Sequence, residues 1–152
     1  CLRSDVERKR LLGLAATEAA TAQGGYTAEL TARTYERLAE LAASVVAAGY
    51  VAVVDATFLR RSQRERFRQL ADRLTVPFLV LDCDAEPAIL RQRILDRRAQ
   101  RDNVSDADLS VLENQLAARE PLSESERALA VGVRPGQAVD AEAIVRRLSA
   151  DG

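Results

Sequence analysis

Three features of the chain predict an α/β fold: short apolar runs, amphipathic stretches at helical spacing between them, and acidic residues where the runs end. The runs "VAVV" (51–54) and "FLVL" (78–81) are apolar without alternation, as expected of strands covered on both faces in a parallel sheet. Strands and helices taking turns along the chain predict an open parallel sheet with helices on both faces, wound by right-handed crossovers.

Taken in order, Leu2 ends a short candidate strand and "SDVERKR" opens a helix behind it. Residues 28–48 set Tyr35, Leu38, Ala42 and Val45 on one face without an internal Gly or Pro, and Gly49 supplies the stop. "YVAVVDATF" is then a strand ending at Asp55. Residues 60–74 place Phe67, Leu70, Ala71 and Leu74 on one face of an arginine- and glutamine-rich helix, which "TVP" breaks. "FLVLDC" is a second buried strand running into Asp82 and Asp84. Asp84 is placed to cap the next helix, whose apolar seam is Leu90 and Ile94. Ser105–Asp108 and Ser123–Glu126 read as capping boxes opening two further helices, the first carrying Leu109, Leu112 and Leu116. "ALAVGV" is a last strand, "RPGQ" a turn, and a final helix runs from Asp140 to Leu148. With no repeat, low-complexity tract or linker, residues 1–152 read as a single domain.

Composition narrows the chemistry. The formal charge of -1 gives no whole-molecule field for nucleic acid or an anionic membrane, so any anion site is local. The absence of histidine excludes histidine-based triads and the zinc sites that need one. Cys1 and Cys83 could form a disulfide on arithmetic, but a reduced pair is expected. Aromatics at 4%, without tryptophan, argue against a stacking platform for single strands, so nucleic acid is expected only as a substrate. No apolar run approaches the roughly 18 residues of a spanning helix, and neither a membrane anchor nor a signal peptide is expected; the cytosol is the default. What is left is carboxylate, guanidinium, hydroxyl and bound ion.

In open α/β sheets ligands bind beyond the carboxyl ends of the strands, and three groups qualify. Asp55, with Thr57 beside it, is placed to hold Mg²⁺ against nucleotide phosphates; the alternative is a carboxylate that starts a turn or caps the next helix. In "RSDVERK", Asp5 can accept a hydrogen bond from a substrate hydroxyl and Arg8, one turn on, can contact an anion. The alternative there is a plain helix start, with Asp5 as N-cap and Arg8, Lys9 and Arg10 as a solvated face. In "LRQRILDRRAQR", Arg93, Arg97 and Arg101 recur at i, i+4 and can offset charge on transferring phosphates, or they are a solvated face partly neutralised by Asp96 and Asp102.

Together, "LRSDVERKRLLG", "TYERLAELAASVVAAGYVAVVDATFLRRSQRERFRQLA", "VPFLVLDCDAEPAILRQRILDRR" and "VSDADLSVLENQLAAREPLSESE" resemble the ATP-binding, P-loop kinase-like domain of bacterial AAA-family ATPases. That domain often follows an aminoglycoside phosphotransferase-like domain in one chain, and it is more distantly similar to gluconate kinases, polynucleotide kinases and zeta toxins. The resemblance weakens beyond Glu126. It implies ATP and Mg²⁺ as cofactors, expected only once the family's phosphate-binding loop is present, Asp5 as the substrate-facing carboxylate at the end of the family's second strand, and Arg3 and Arg8 as substrate contacts. It further implies Asp55 near Mg²⁺ with Thr57 beside it, and Arg93 and Arg97 as lid arginines approaching the ATP phosphates.

The family also has a strand, a G-x-x-x-x-G-K-S/T loop and a helix ahead of these segments, and nothing of that form occurs here; the paired glycines of "AQGGYT" lack the lysine. That loop supplies the N–H cradle for phosphates, the lysine and a hydroxyl for Mg²⁺. The resemblance implies a sheet whose missing strand lies between those ending at Asp55 and Asp82, which would leave two strand edges unpartnered. The chain is therefore expected to be a truncated domain, a product of a mis-assigned start, or a segment of a longer protein, inactive by itself. The function expected is transfer of the ATP γ-phosphoryl group to a hydroxyl of a small molecule or polynucleotide end, with an upstream segment or phosphotransferase-like domain of the same gene as partner. The competing expectation is a non-catalytic α/β module whose arginine-rich helix binds an acidic partner or RNA.

Overall fold

The structure, a computed structural model, describes residues 1–15, 27–83, 85–99, 107–136 and 138–150. They fall into two compact units, Cys1–Phe58 with Ser62–Thr75, and Leu59–Arg61 with Val76–Gly152.

The first unit is built on α2 (Ala28–Ala47), which the 28–48 periodicity anticipates to within a residue. Thr27 caps it, its Oγ1 accepting from the Leu30 N–H at 3.2 Å, which satisfies one of the donors a helix start leaves open. At the other end Gly49 takes φ +82°, a conformation that costs glycine nothing and a side-chain-bearing residue much more. Leu30, Thr34, Tyr35, Leu38 and Ala42 form the buried stripe, with Leu38 wholly enclosed. Against this helix packs α1 (Ser4–Leu11), which follows directly from β1 (Leu2–Arg3). The α3 helix (Arg61–Leu74) contributes Arg64, Phe67 and Ala71 to the buried set, and Arg66 reaches Glu36 of α2 at 3.5 Å. It ends at Thr75, whose φ of +54° breaks the helical path ahead of Val76 and Pro77.

β2 (Val54–Asp55) pairs in parallel with β1 in the register Leu2 to Val54 and Arg3 to Asp55. The strand is shorter than the apolar run predicts. β1 offers only two residues before α1 begins, and one further bond, from the Leu2 N–H to the Val53 carbonyl at 2.7 Å, completes the ladder. The run is also not covered on both faces: Val51 is 72% and Val53 49% exposed, with Ala52 and Val54 half-buried between them.

In the second unit β3 (Val80–Cys83) and β4 (Ala130–Val133) pair in parallel over four residues each, Val80 with Ala130 through Cys83 with Val133. α4 (Pro87–Ala99), α5 (Ala107–Ala118), α6 (Glu124–Ala128) and α7 (Ala141–Ala150) complete it. The capping box at Ser123 forms as its spacing predicts: Ser123 Oγ accepts from the Glu126 N–H at 3.2 Å and the Glu126 carboxylate from the Ser123 N–H at 2.8 Å. Asp140 caps α7 by accepting from the Ala143 N–H at 2.9 Å, and Gly136 turns the chain at φ +81° within "RPGQ". Leu112 of α5 is buried, while Leu90 and Ile94 are half-buried on α4. The expected caps at Asp84 and Ser105 fall outside the described residues.

The chain is thus a mixture of helix and parallel strand, as an α/β protein should be. Instead of one open sheet, the described residues carry two separate two-stranded sheets, β1 with β2 and β3 with β4.

Candidate functional site

The parallel register of β1 and β2 decides where the chemistry lies. With Arg3 opposite Asp55, the two strands end side by side, and the residues that follow, Ser4 and Asp5 on one and Ala56 and Thr57 on the other, line a shallow open cleft of about 250 Å³. Arg3 stands between two carboxylates. Its Nη2 donates to Asp5 Oδ2 at 2.8 Å, and its Nε lies 3.9 Å from Asp55 Oδ2. All three side chains remain more than half exposed, Arg3 at 56%, Asp5 at 54% and Asp55 at 68%, so each carboxylate keeps lone pairs open to a ligand. In such exposed pairs a guanidinium stabilises the fold by at most about 1 kcal/mol; its larger effect is to balance charge at this one point.

Asp5 is not the N-cap of α1. Arg3 occupies that position without a side-chain capping bond, and Asp5 sits in the first turn, where a carboxylate is favoured by the open N–H groups. Arg8 lies apart from the cleft. Only 8% exposed, it donates from Nη1 to Thr31 Oγ1 of α2 at 3.3 Å, so it takes part in the α1–α2 packing and is not part of a solvated face. Its neighbour Glu7 is likewise buried, held by Arg10 and 4.0 Å from Arg37. Residue spacing alone cannot reveal this inward turn, because α1 lacks the apolar stripe that would mark its packed face.

Arg93 and Arg97 are one turn apart on α4 in the second unit, Arg93 exposed; Arg101 lies outside the described residues. On the same helix the Arg91 guanidinium donates to Glu113 of α5 at 2.7 Å, and that hydrogen bond holds the Glu113 carboxyl below the ordinary carboxylate range. Asp82, the aspartate that follows the other apolar run, lies within β3 opposite Gly132, is 33% exposed and is 3.6 Å from Arg119.

Ser4 is the cleft residue that the motifs passed over, although its place between a strand end and Asp5 marks it. The wall that carries Asp55 and Thr57 has a second support that no motif signals. Phe58 adopts φ +45°, donates its N–H to Tyr35 Oη at 3.0 Å and accepts from Arg64 Nη1 at 2.9 Å. Its ring meets those of Tyr35 and Phe67 edge-on, at centroid distances of 5.3 and 5.2 Å.

The AAA domain profile matches residues 1–122, four-fifths of the chain, and the chain belongs to that family. Membership places it among nucleotide-binding, kinase-like domains of the P-loop NTPase fold, a group that typically uses ATP and Mg²⁺. No curated protein and no solved structure matches the chain.

The cleft's donor set fits Mg²⁺ in the manner of phosphate-bound magnesium. That ion takes one or two carboxylates and leaves its other positions to water and phosphate oxygens, and here Asp55 is 68% exposed in a cleft that Thr57 also lines. Among the described residues no group of three or more acidic, cysteine or histidine side chains gathers into a site that would hold a metal alone. Nor, among them, is any helix long and apolar enough to cross a membrane.

Proposed function

We propose that this chain carries the acceptor side of a kinase-like phosphotransferase, in which the γ-phosphoryl group of ATP passes to a hydroxyl of a small molecule or of a polynucleotide end. The observation that carries the reading is the β1–β2 register, which gathers Asp5, Asp55 and Arg3 at one open cleft. Asp5 accepts the hydrogen bond of the acceptor hydroxyl and takes its proton as the new P–O bond forms and ADP departs. Asp55 and Thr57 hold Mg²⁺, which when bound neutralises charge on the phosphates. Arg3 keeps the two carboxylates from repelling one another and offers its remaining N–H groups to substrate or phosphate oxygen. Arg93 and Arg97 are the lid cations of this reading.

The phosphate cradle is assigned to residues outside this sequence, because none within it spell G-x-x-x-x-G-K-S/T. Val51 and Val53, 72% and 49% exposed, leave one face of the run ahead of β2 uncovered among the described residues. Calorimetric titration of Mg²⁺·ATP into the full-length gene product tests the proposal. Binding is expected, and Asp55→Ala should weaken it about tenfold, the scale of losing one charge-assisted contact. A full-length product that binds no nucleotide would end the kinase reading.

A further inference from the structure

We infer that Tyr35 and Arg64 are positioning residues for Asp55, acting through a clamp on Phe58 that fixes the direction of the Asp55–Thr57 wall. The inference rests on the reading of the cleft given above and deepens it.

A bulky residue in the left-handed region is strained, and it persists only where the surroundings over-determine it. Phe58, at φ +45°, is held on every side that a residue offers. Its N–H goes to Tyr35 of α2, its carbonyl to Arg64 of α3, and its ring lies edge-on to Tyr35 at 70° and to Phe67 at 88°. The anchors themselves are rigidly placed, with Tyr35 4%, Arg64 6% and Phe67 7% exposed. A buried guanidinium is retained only where its donors are used, and Arg64 spends one of them on the backbone of a loop residue.

The cleft needs this support. β2 is paired over two residues with a strand equally short, and Asp55 is 68% exposed, so the ladder by itself cannot hold the wall in one direction. Thr57 adjoins Phe58 and Asp55 is three residues back. The sharp turn at Phe58 stops the chain from continuing along the line of β2, and its two hydrogen bonds tie that turn to buried side chains of α2 and α3. A glycine at the same position would relieve the strain but lose both ring contacts.

Tyr35→Phe deletes the Oη acceptor and keeps the ring. In the full-length gene product the Phe58 amide should exchange with solvent about fivefold faster, the scale of one lost hydrogen bond, while the Leu38 and Ala42 amides of α2 hold their rates. The Asp55–Thr57 amide resonances should shift. Mg²⁺·ATP should bind about fivefold more weakly, and Tyr35→Phe added to Asp55→Asn should cause no further loss, because the clamp acts through that carboxylate. Unchanged Asp55–Thr57 resonances overturn the inference whether or not nucleotide binds, and so do fully multiplicative losses in the double variant. Insensitivity of binding to Asp55→Asn alone overturns the reading of the cleft instead, leaving the clamp to be judged on exchange and resonances. If Tyr35→Phe fails to fold, Arg64→Lys, which keeps the charge and loses the planar fork at the Phe58 carbonyl, takes its place: the Asp55–Thr57 resonances should shift and Mg²⁺·ATP should bind more weakly, while the Phe58 N–H keeps its Tyr35 partner.

Discussion

Asp55 and Asp82 each close an apolar run, yet they meet different surroundings. Asp55 is 68% exposed in a cleft shared with a second carboxylate, Asp5, and with Arg3 between them. Asp82 is 33% exposed and faces Arg119 at 3.6 Å. The units that carry them differ in the same sense. Of the buried apolar side chains described, Leu30, Tyr35, Leu38, Ala42, Phe67 and Ala71 lie in the unit of Asp55, and Leu112 lies in the other. Among the described residues, the unit with more buried apolar side chains carries the more open carboxylate. A buried apolar base lets a strand end stay exposed and still point one way; ion pairs join elements in both units, Arg66 to Glu36 in the first and Arg91 to Glu113 in the second.

The contrast is broken most severely at the core. Leu38→Ala, at a wholly enclosed site, should cost about 2–5 kcal/mol in urea denaturation, and Leu112→Ala should fall at the low end of that range. Equal losses would show the two cores to be equally dense. The strand ends come next: if Asp55→Ala weakens Mg²⁺·ATP binding by about tenfold, Asp82→Ala should leave it within about twofold, because the Asp82 carboxylate is engaged by Arg119. Ser123→Ala removes the capping box of α6 and should cost about 1 kcal/mol, read as a lowered denaturation midpoint with unchanged slope.

The smallest effect is electrostatic. Glu113 has its folded-state pKa lowered by Arg91, so the pair's contribution is present above the ordinary carboxylate value of about 4.3 and lost as the pH falls through the lowered one. In Arg91→Gln the Glu113 carboxyl, followed by NMR titration, should return toward the ordinary value, and added salt should shrink the difference between the two proteins.

The sequence makes legible whatever local spacing controls. The buried face of α2, the stop at Gly49 and the Ser123 capping box all follow from residues within a few positions of one another. Strand extent is not local. "VAVV" has the composition of a doubly covered strand, but its ladder can be no longer than β1, and α1 begins at Ser4. The site divides along the same line. Asp55 and Thr57 can be nominated from their place after an apolar run and Asp5 from its place behind the candidate strand at Leu2, while their meeting in one cleft depends on a register between residues some fifty positions apart. Arg8 depends on distant residues too: in an arginine-rich helix nothing local says which guanidinium turns inward, and it is Thr31 on another helix that receives this one. The Tyr35 bond to Phe58 is equally long-range and equally silent in the sequence.

The central claim is that the cleft beyond β1 and β2, and not the end of β3, is where nucleotide and metal meet this chain. The most direct measurement is paramagnetic line broadening of the ¹⁵N-labelled full-length gene product by substoichiometric Mn²⁺·ATP. The account predicts selective broadening of the Ser4, Asp5 and Asp55–Thr57 amides, strongly reduced by Asp55→Asn. Broadening centred on Asp82 and Cys83, or at Ser4 and Asp5 undiminished by Asp55→Asn, would contradict it.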